Sequence, residues 1–198
     1  MKVIHKILHK LVGWNRGINP WIAHDALYGS DFVFHGAGCM FVNYSHVLAG
    51  ISKQWADSSV LDGFGGKRVG NESWKQCAFR ETVEEFFGVE RIPQKLLKVL
   101  EEKMIPQKVL CKDNYLTLVY NFDQLVQFLC LCAKYIRKVP LYHKVPRCVE
   151  ELIMGRKLSD GSEISHIILW PLYYKNTTYT IAPHFHNDIQ MVNHNVCV

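Results

Sequence analysis

The sequence predicts one layered α/β or α+β domain, with helices packed on a mixed sheet. Three observations carry that expectation. Strand-like and helix-like runs alternate along the chain, and 198 residues suffice for one compact domain with peripheral additions. Apolar residues make up 48% and charged residues 21%, a balance that allows a sizeable buried core.

Each element has its own signal. Near the N-terminus Ile4, Ile7, Leu8 and Leu11 fall at helical spacing, with Lys2, Lys6 and Lys10 on other faces. Charge interrupts this run too often for a signal peptide or a membrane span, so it reads as a helix packed on the domain rather than a basic helix touching membrane or RNA. Residues 13–38 are irregular and aromatic, and 1–30 together form an N-terminal helical extension. Cys39–Tyr44 and Val47–Ile51 read as strands around a polar turn, Asn43–His46. The stretch 63–70, with Gly63, Gly65, Gly66 and Gly70, reads as a loop. Glu72–Phe87 lacks Gly and Pro and reads as a helix, capped by Asn71 or Ser73 and ended by Gly88. Pro93–Leu100 suits a short helix or an edge segment, and Tyr115–Phe122 a strand. Gln124–Arg137 is apolar nearly all round, as in a buried helix, and Val149–Met154 is a second short helix beyond the turn bracketed by Pro140 and Pro146. Residues 123–155 therefore form a helical insertion, and Ile164–Tyr174 a last strand broken by Pro171.

The formal net charge of +5 and pI near 8.8 favour anionic partners such as nucleotides, RNA or acidic lipid. Seven cysteines at irregular spacing, mostly within apolar runs, read as reduced, buried thiols of an intracellular protein, cytoplasmic or nuclear. No CxxC pair is present, which removes a zinc ribbon.

The chemistry concentrates in residues 65–89. Glu81, Glu84 and Glu85 stand at i, i+3 and i+4, so a helix puts their carboxylates on one face. Three carboxylates with no interleaved lysine repel one another, and hard oxygen ligands on one face suit Mg²⁺ or Mn²⁺. Cys77 and Ala78 are small enough to let this helix approach the glycine-rich segment, where Lys67 and Arg68 add charge for a phosphate. Acids alone would equally describe a solvated helix face. The surrounding spacing decides the matter.

Gly66, five residues, Glu72, seven residues, then Arg80-Glu81-Thr82-Val83-Glu84-Glu85 resembles the Nudix box. Leu169-Trp170-Pro171-Leu172 is similar to a segment near the end of Nudix domains, and Gly63-Phe64-Gly65-Gly66 resembles a snoRNA-decapping subgroup. Three departures stand out: two residues, Phe86 and Phe87, precede Gly88 where the family has one; Thr82 replaces an aliphatic residue; and Phe64 stands where many relatives carry Pro. The added residue should move the helix exit and leave the acids undisturbed.

The resemblance implies a Nudix-type α/β/α sandwich with a mixed sheet, and hydrolysis of a diphosphate linkage in a nucleotide-derived substrate with Mg²⁺ or Mn²⁺. It makes Glu84 and Glu85 the principal catalytic metal ligands, with Glu81 a further ligand or the base for the attacking water, Glu72 a ligand or a partner of Arg80, and the Gly66 carbonyl a further donor; Arg80 orients a carboxylate, and Lys67 and Arg68 meet the phosphates. A general base outside the box has candidates by position in Glu163, Glu150 and Glu151. The substrate side divides between capped RNA and small nucleotides such as ADP-ribose or nucleoside triphosphates, with no DNA and no transmembrane segment expected; an inactive nucleotide- or RNA-binding module is the rival. His24, His35, His46 and the aromatics Trp14, Trp21, Tyr28 and Phe34 border the expected nucleotide pocket, with core packing the default for the aromatics. His184, His186 and His194 lack the partners of a metal site.

Overall fold

The side-chain alternation of one strand sorts the molecule into two sides. In the computed structural model, which describes residues 21–22, 33–52, 60–159, 162–174 and 179–193, β2 (Gly36–Val42) sends Ala37, Cys39 and Phe41 into one apolar cluster and Met40 and Val42 into another. Further strands are β1 (Trp21–Ile22), β3 (His46–Ser52), β4 (Val60–Asp62), β5 (Phe64–Lys67), β6 (Lys108–Lys112), β7 (Tyr115–Asn121), β8 (Ile164–Pro171) and β9 (Thr180–Ile181). Their order is β1-β6-β7-β2-β3-β4-β9, with β5 paired to β2 and β8 to β3. β2 runs parallel to β7 and antiparallel to β3 and β5, so the sheet is mixed.

Helices cover both sides. α1 (Trp74–Phe87), α2 (Gln94–Lys103), α3 (Phe122–Tyr135) and α4 (Val149–Met154) share the first cluster through Phe79, Val83, Leu96, Leu100, Phe128 and Leu152. α5 (Pro183–Asn193) covers the other face with Phe185, Ile189 and Val192, at i, i+4 and i+7. The expected α/β/α layering is therefore present.

Local chemistry explains the ends of α1. Ser73 accepts from the Gln76 N–H at 3.1 Å while Gln76 accepts from the Ser73 N–H at 3.2 Å, a reciprocal cap that selects Ser73 over Asn71. Gly88, at φ 68°, closes the helix with its N–H on the Glu84 carbonyl at 2.7 Å. The added residue lies inside the helix, and Phe86 and Phe87 are both fully buried. Each contributes roughly 1.5–3 kcal/mol by leaving water. Phe64 meets Phe86 edge-on at 4.7 Å, an aromatic contact between β5 and α1.

Several expectations change. Residues 64–67 are a strand, because β5 finds a ladder partner: Gly36 faces Lys67 and Gly38 faces Gly65. A Cβ on Gly36 or Gly38 would strike the Gly66 or Phe64 carbonyl, so the glycines serve close approach of two backbones rather than a loop. Phe122 belongs to α3, not to the preceding strand, because Asn121 caps that helix by accepting from the Gln124 N–H at 2.8 Å. β6, β4, β9 and α5 add to the elements read from sequence. Of the thiols, Cys39, Cys77 and Cys132 are buried but Cys130 is exposed, since it stands two residues from Cys132 on a helix and points the other way; Cys197 lies outside the described residues. The expected helix near the N-terminus also lies outside them; within 1–30 only Trp21–Ile22 is described, as strand paired to β6. No described helix is long and apolar enough to cross a membrane.

Candidate active site

Arg80 organises the acids. Leaving the buried face of α1, its Nε donates to Glu72 at 2.9 Å and Nη2 to the same carboxylate at 2.8 Å. Its Nη1 donates to Glu81 at 2.8 Å and to Glu84 at 3.0 Å, and Nη2 also reaches the Lys67 carbonyl at 2.9 Å. Only a planar fork of five donors can serve so many acceptors, and lysine could not. Arg80 thus contacts three carboxylates and one strand carbonyl. Their combined charge holds the guanidinium protonated at any ordinary pH.

Glu85 is held separately, accepting from the Gly65 N–H of β5 at 2.9 Å. β5 and α1 therefore lie in direct contact, and two small residues permit it. Cys77 is fully buried with Sγ 3.8 Å from the Gly66 carbonyl, and a Cβ on Gly66 would run into the Glu81 carboxylate. Thr82 is buried too, and its hydroxyl is satisfied by the Ala78 carbonyl at 2.8 Å.

The electrostatics divide these acids. Burial works against the charge of Glu72, but the Arg80 guanidinium and the Val69 N–H outweigh it and hold the carboxyl below its ordinary range. Loss of hydration pushes Glu81 and Glu84 up despite Arg80. Glu85 is raised furthest, first by burial and then by the charges of Glu163 and Glu81. A cation beside these groups would relieve both burial and repulsion.

Of these acids Glu81 and Glu85 line a cavity of about 910 Å³ together with Gly66, Lys67 and Glu163, whereas Glu72, Glu84 and Arg80 are not among its lining residues. Its size suits a nucleotide-sized ligand. Tyr115, His184 and Asp188 line it as well. Neither Asp188 nor Tyr115 belongs to a motif in the sequence, and His184 stands there only beside His186 without the partners of a metal site. His184 donates from Nε2 to Asp62 at 2.8 Å, and Asp188 accepts from Thr117 at 2.7 Å. One available signal was Pro183, a helix-starting residue that puts both His184 and Asp188 on one short helix.

Other candidates lie elsewhere. Arg68 stacks on Phe34, 4.5 Å from the ring centroid, and is not among the cavity-lining residues. Glu151 is engaged by Lys144 at 2.8 Å and by the Arg147 N–H, and neither it nor Glu150 lines the cavity, whereas Glu163 does. His35 lines the cavity; His46 bonds Ser45 in the hairpin between β2 and β3. His186 bonds Tyr174 at 2.7 Å. His24, His194 and the ring positions of Trp14, Trp21 and Tyr28 lie outside the described residues.

The donor set fits a hard divalent cation by its chemistry: carboxylate oxygens of Glu81, Glu84 and Glu85 on one helical face beside the Gly66 strand. Among the described residues no three acidic, histidine or cysteine side chains already converge at ligand spacing.

No family model matches the chain, and no curated protein matches it in sequence. Similar folds occur among solved structures. A MutT Nudix hydrolase from Burkholderia pseudomallei shares 16% identity at TM-score 0.39, covering 79% of this chain and 95% of its own. A Nudix-family hydrolase from Clostridium perfringens shares 13% at TM-score 0.38, covering 81% and 94%. A bifunctional NMN adenylyltransferase/ADP ribose pyrophosphatase from Francisella tularensis, complexed with AMP and a manganese ion, shares 12% at TM-score 0.42, covering 86% of this chain and 44% of its own. Likenesses this distant add nothing to the chemistry of the site, which rests on the chain's own residues.

Proposed function

We propose that the chain is a divalent-metal-dependent hydrolase that cleaves a diphosphate linkage in a nucleotide-derived substrate, with capped RNA as the favoured class. The observation that carries this reading is the Arg80 hub: one guanidinium holding Glu72, Glu81 and Glu84 beside β5, with Glu85 tied to the Gly65 N–H, and with Glu81 and Glu85 on the wall of one cavity. Exposed acids on a solvated helix would need no such scaffold.

Glu81, Glu84 and Glu85 would hold Mg²⁺ or Mn²⁺, with Glu72 and the Gly66 carbonyl as further donors. Such an ion, when bound, neutralises phosphate oxygens and lowers the pKa of a water. Arg80 keeps the carboxylates in place without touching substrate. Glu163 lines the same cavity and is the candidate to take the proton of the attacking water. Lys67, on the cavity lining, would meet a phosphate. The basic net charge of +5 and the Gly63-Phe64-Gly65-Gly66 segment favour RNA over a small nucleotide.

The test is product analysis with Mg²⁺ or Mn²⁺ on cap-labelled RNA, ADP-ribose and nucleoside triphosphates, beside Glu84→Gln/Glu85→Gln. Release of m⁷GDP from capped RNA, absent in the variant, is expected. Turnover of small nucleotides alone would replace the substrate class. Binding without any turnover would make the protein a recognition module instead.

A further inference from the structure

We propose that His184, fixed by Asp62, grips a phosphate oxygen of the substrate from the α5 side of the cavity. This deepens the reading above and rests on it for the identity of the ligand as a diphosphate.

The cavity has an anion problem. Glu81, Glu85, Glu163, Asp62 and Asp188 all line it, yet the ligand it would take is itself anionic. A metal on the α1 side would serve only that side, so the opposite side needs a donor of its own. Lys67 and Lys112 are exposed, and each would lose rotamer freedom on gripping a phosphate. His184 is different. Its Nε2 donates to Asp62 Oδ1 at 2.8 Å, and that same oxygen accepts from the Gly63 N–H at 2.7 Å, so both members of the pair are oriented before any ligand arrives.

With Nε2 committed to Asp62, Nδ1–H of the protonated ring is the remaining donor. The Asp62 carboxylate favours that protonated form, against the effect of burial, and Asp188 adds to it. Tyr115, whose ring lies 6.1 Å from the imidazole, closes another side, and its hydroxyl is kept neutral by burial. Lys112 favours the ionised form of Asp188 and adds a positive charge on the same cavity wall. The first residues of α5, Pro183 and His184, both line the cavity, so the positive end of the helix lies there too. An oriented imidazole and a helix N-terminus thus meet at one place on the cavity wall.

The experiment is calorimetric titration of the full chain, in Mg²⁺, with α,β-methylene-ADP and separately with adenosine. His184→Ala should weaken the diphosphate by about tenfold or more, the effect of losing a hydrogen bond to a charged group, and leave adenosine unchanged. Asp62→Asn should weaken it less, since the amide oxygen can still accept from Nε2 while the charge that favours the protonated ring is gone. Thermal midpoints within a few degrees of the parent would exclude unfolding as the cause, and His184 is exposed enough to tolerate the change. Unchanged diphosphate affinity in His184→Ala, an equal loss towards adenosine, or no binding by the parent protein would each overturn the proposal. Normal Mg²⁺-dependent hydrolysis with unchanged binding in His184→Ala removes this inference alone. Loss of binding in His184→Ala, in a protein that hydrolyses nothing, removes the hydrolase reading and leaves this one.

Discussion

Arg156 donates to the backbone carbonyl of Glu85 at 3.0 Å, tying the end of the acid-bearing helix to a segment 71 residues further on. The same guanidinium reaches the Phe86 carbonyl at 2.7 Å and the Ile164 carbonyl at 2.7 Å. It therefore satisfies helix-end carbonyls that α1 leaves without internal partners, and it holds the strand that begins next to Glu163.

Arg156→Gln should lower the unfolding free energy by about 2–4 kcal/mol, because charge-assisted hydrogen bonds are lost and carbonyls are left without donors. Arg156→Lys should fall between, since an ammonium cannot span three acceptors. Urea denaturation measures both, and an unchanged midpoint for the glutamine variant would show that the clamp contributes nothing.

Gly66→Ala and Gly70→Ala should separate space from backbone. A methyl at Gly66 runs into the Glu81 carboxylate, so hydrolysis should drop at least about tenfold as that group is displaced. At Gly70 nothing lies within 4 Å and only its φ of 57° resists a side chain, so about 1 kcal/mol of stability should go with activity kept. Equal activity in the two variants would contradict the packing of β5 against α1.

Arg80→Gln should leave Glu72, Glu81 and Glu84 facing one another without their common donor. A loss of about 3 kcal/mol at neutral pH is expected. Millimolar Mn²⁺ should restore part of it by supplying the missing positive charge. Denaturation curves with Mn²⁺ and with EDTA are the check; indifference to Mn²⁺ would argue against a cation among these acids.

Asp188 predicts a pH dependence of stability. Burial lifts its carboxyl from 3.8 to about 6, while the Thr117 hydroxyl and the charges of His184 and Lys112 pull the other way. The folded state then holds this proton more tightly than the unfolded chain does. Stability from this group is full below about pH 4 and falls as pH rises towards 6, by up to about 3 kcal/mol. Urea midpoints between pH 4 and 7 should show that slope in the parent and a flatter one in Asp188→Asn. The same slope in both proteins would assign it to other groups.

What was legible in the sequence is what spacing along one chain can specify. The i, i+3, i+4 acids, the Gly66–Glu72–Arg80 intervals and a helix start at Asn71 or Ser73 are all local, and a helix needs nothing distant to align them. The hairpin between β6 and β7 was not legible: its turn is local, with Asp113 and Asn114 both at positive φ, but the alternation of Lys108–Lys112 is too short to announce a strand. The glycine stretch shows where local reading stops. Gly65 and Gly66 are loop residues by propensity and strand residues in the fold, because β2 offers them a ladder and tolerates no Cβ between.

Tertiary structure alone decided which charges meet. Asp62 and His184 are far apart in sequence and 2.8 Å apart in space, and Asp188 finds Thr117 across 71 positions. Arg68 looked like a phosphate ligand beside Lys67, but the fold stacks it on Phe34, while Glu163 comes to the cavity and Glu151 does not. Hydrogen bonds and ion pairs between distant segments depend on the packing that brings those segments together. The chain's own periodicity settles the helix that carries the acids, and only the packed sheet, with α1 on one face and α5 on the other, settles what those acids look out upon.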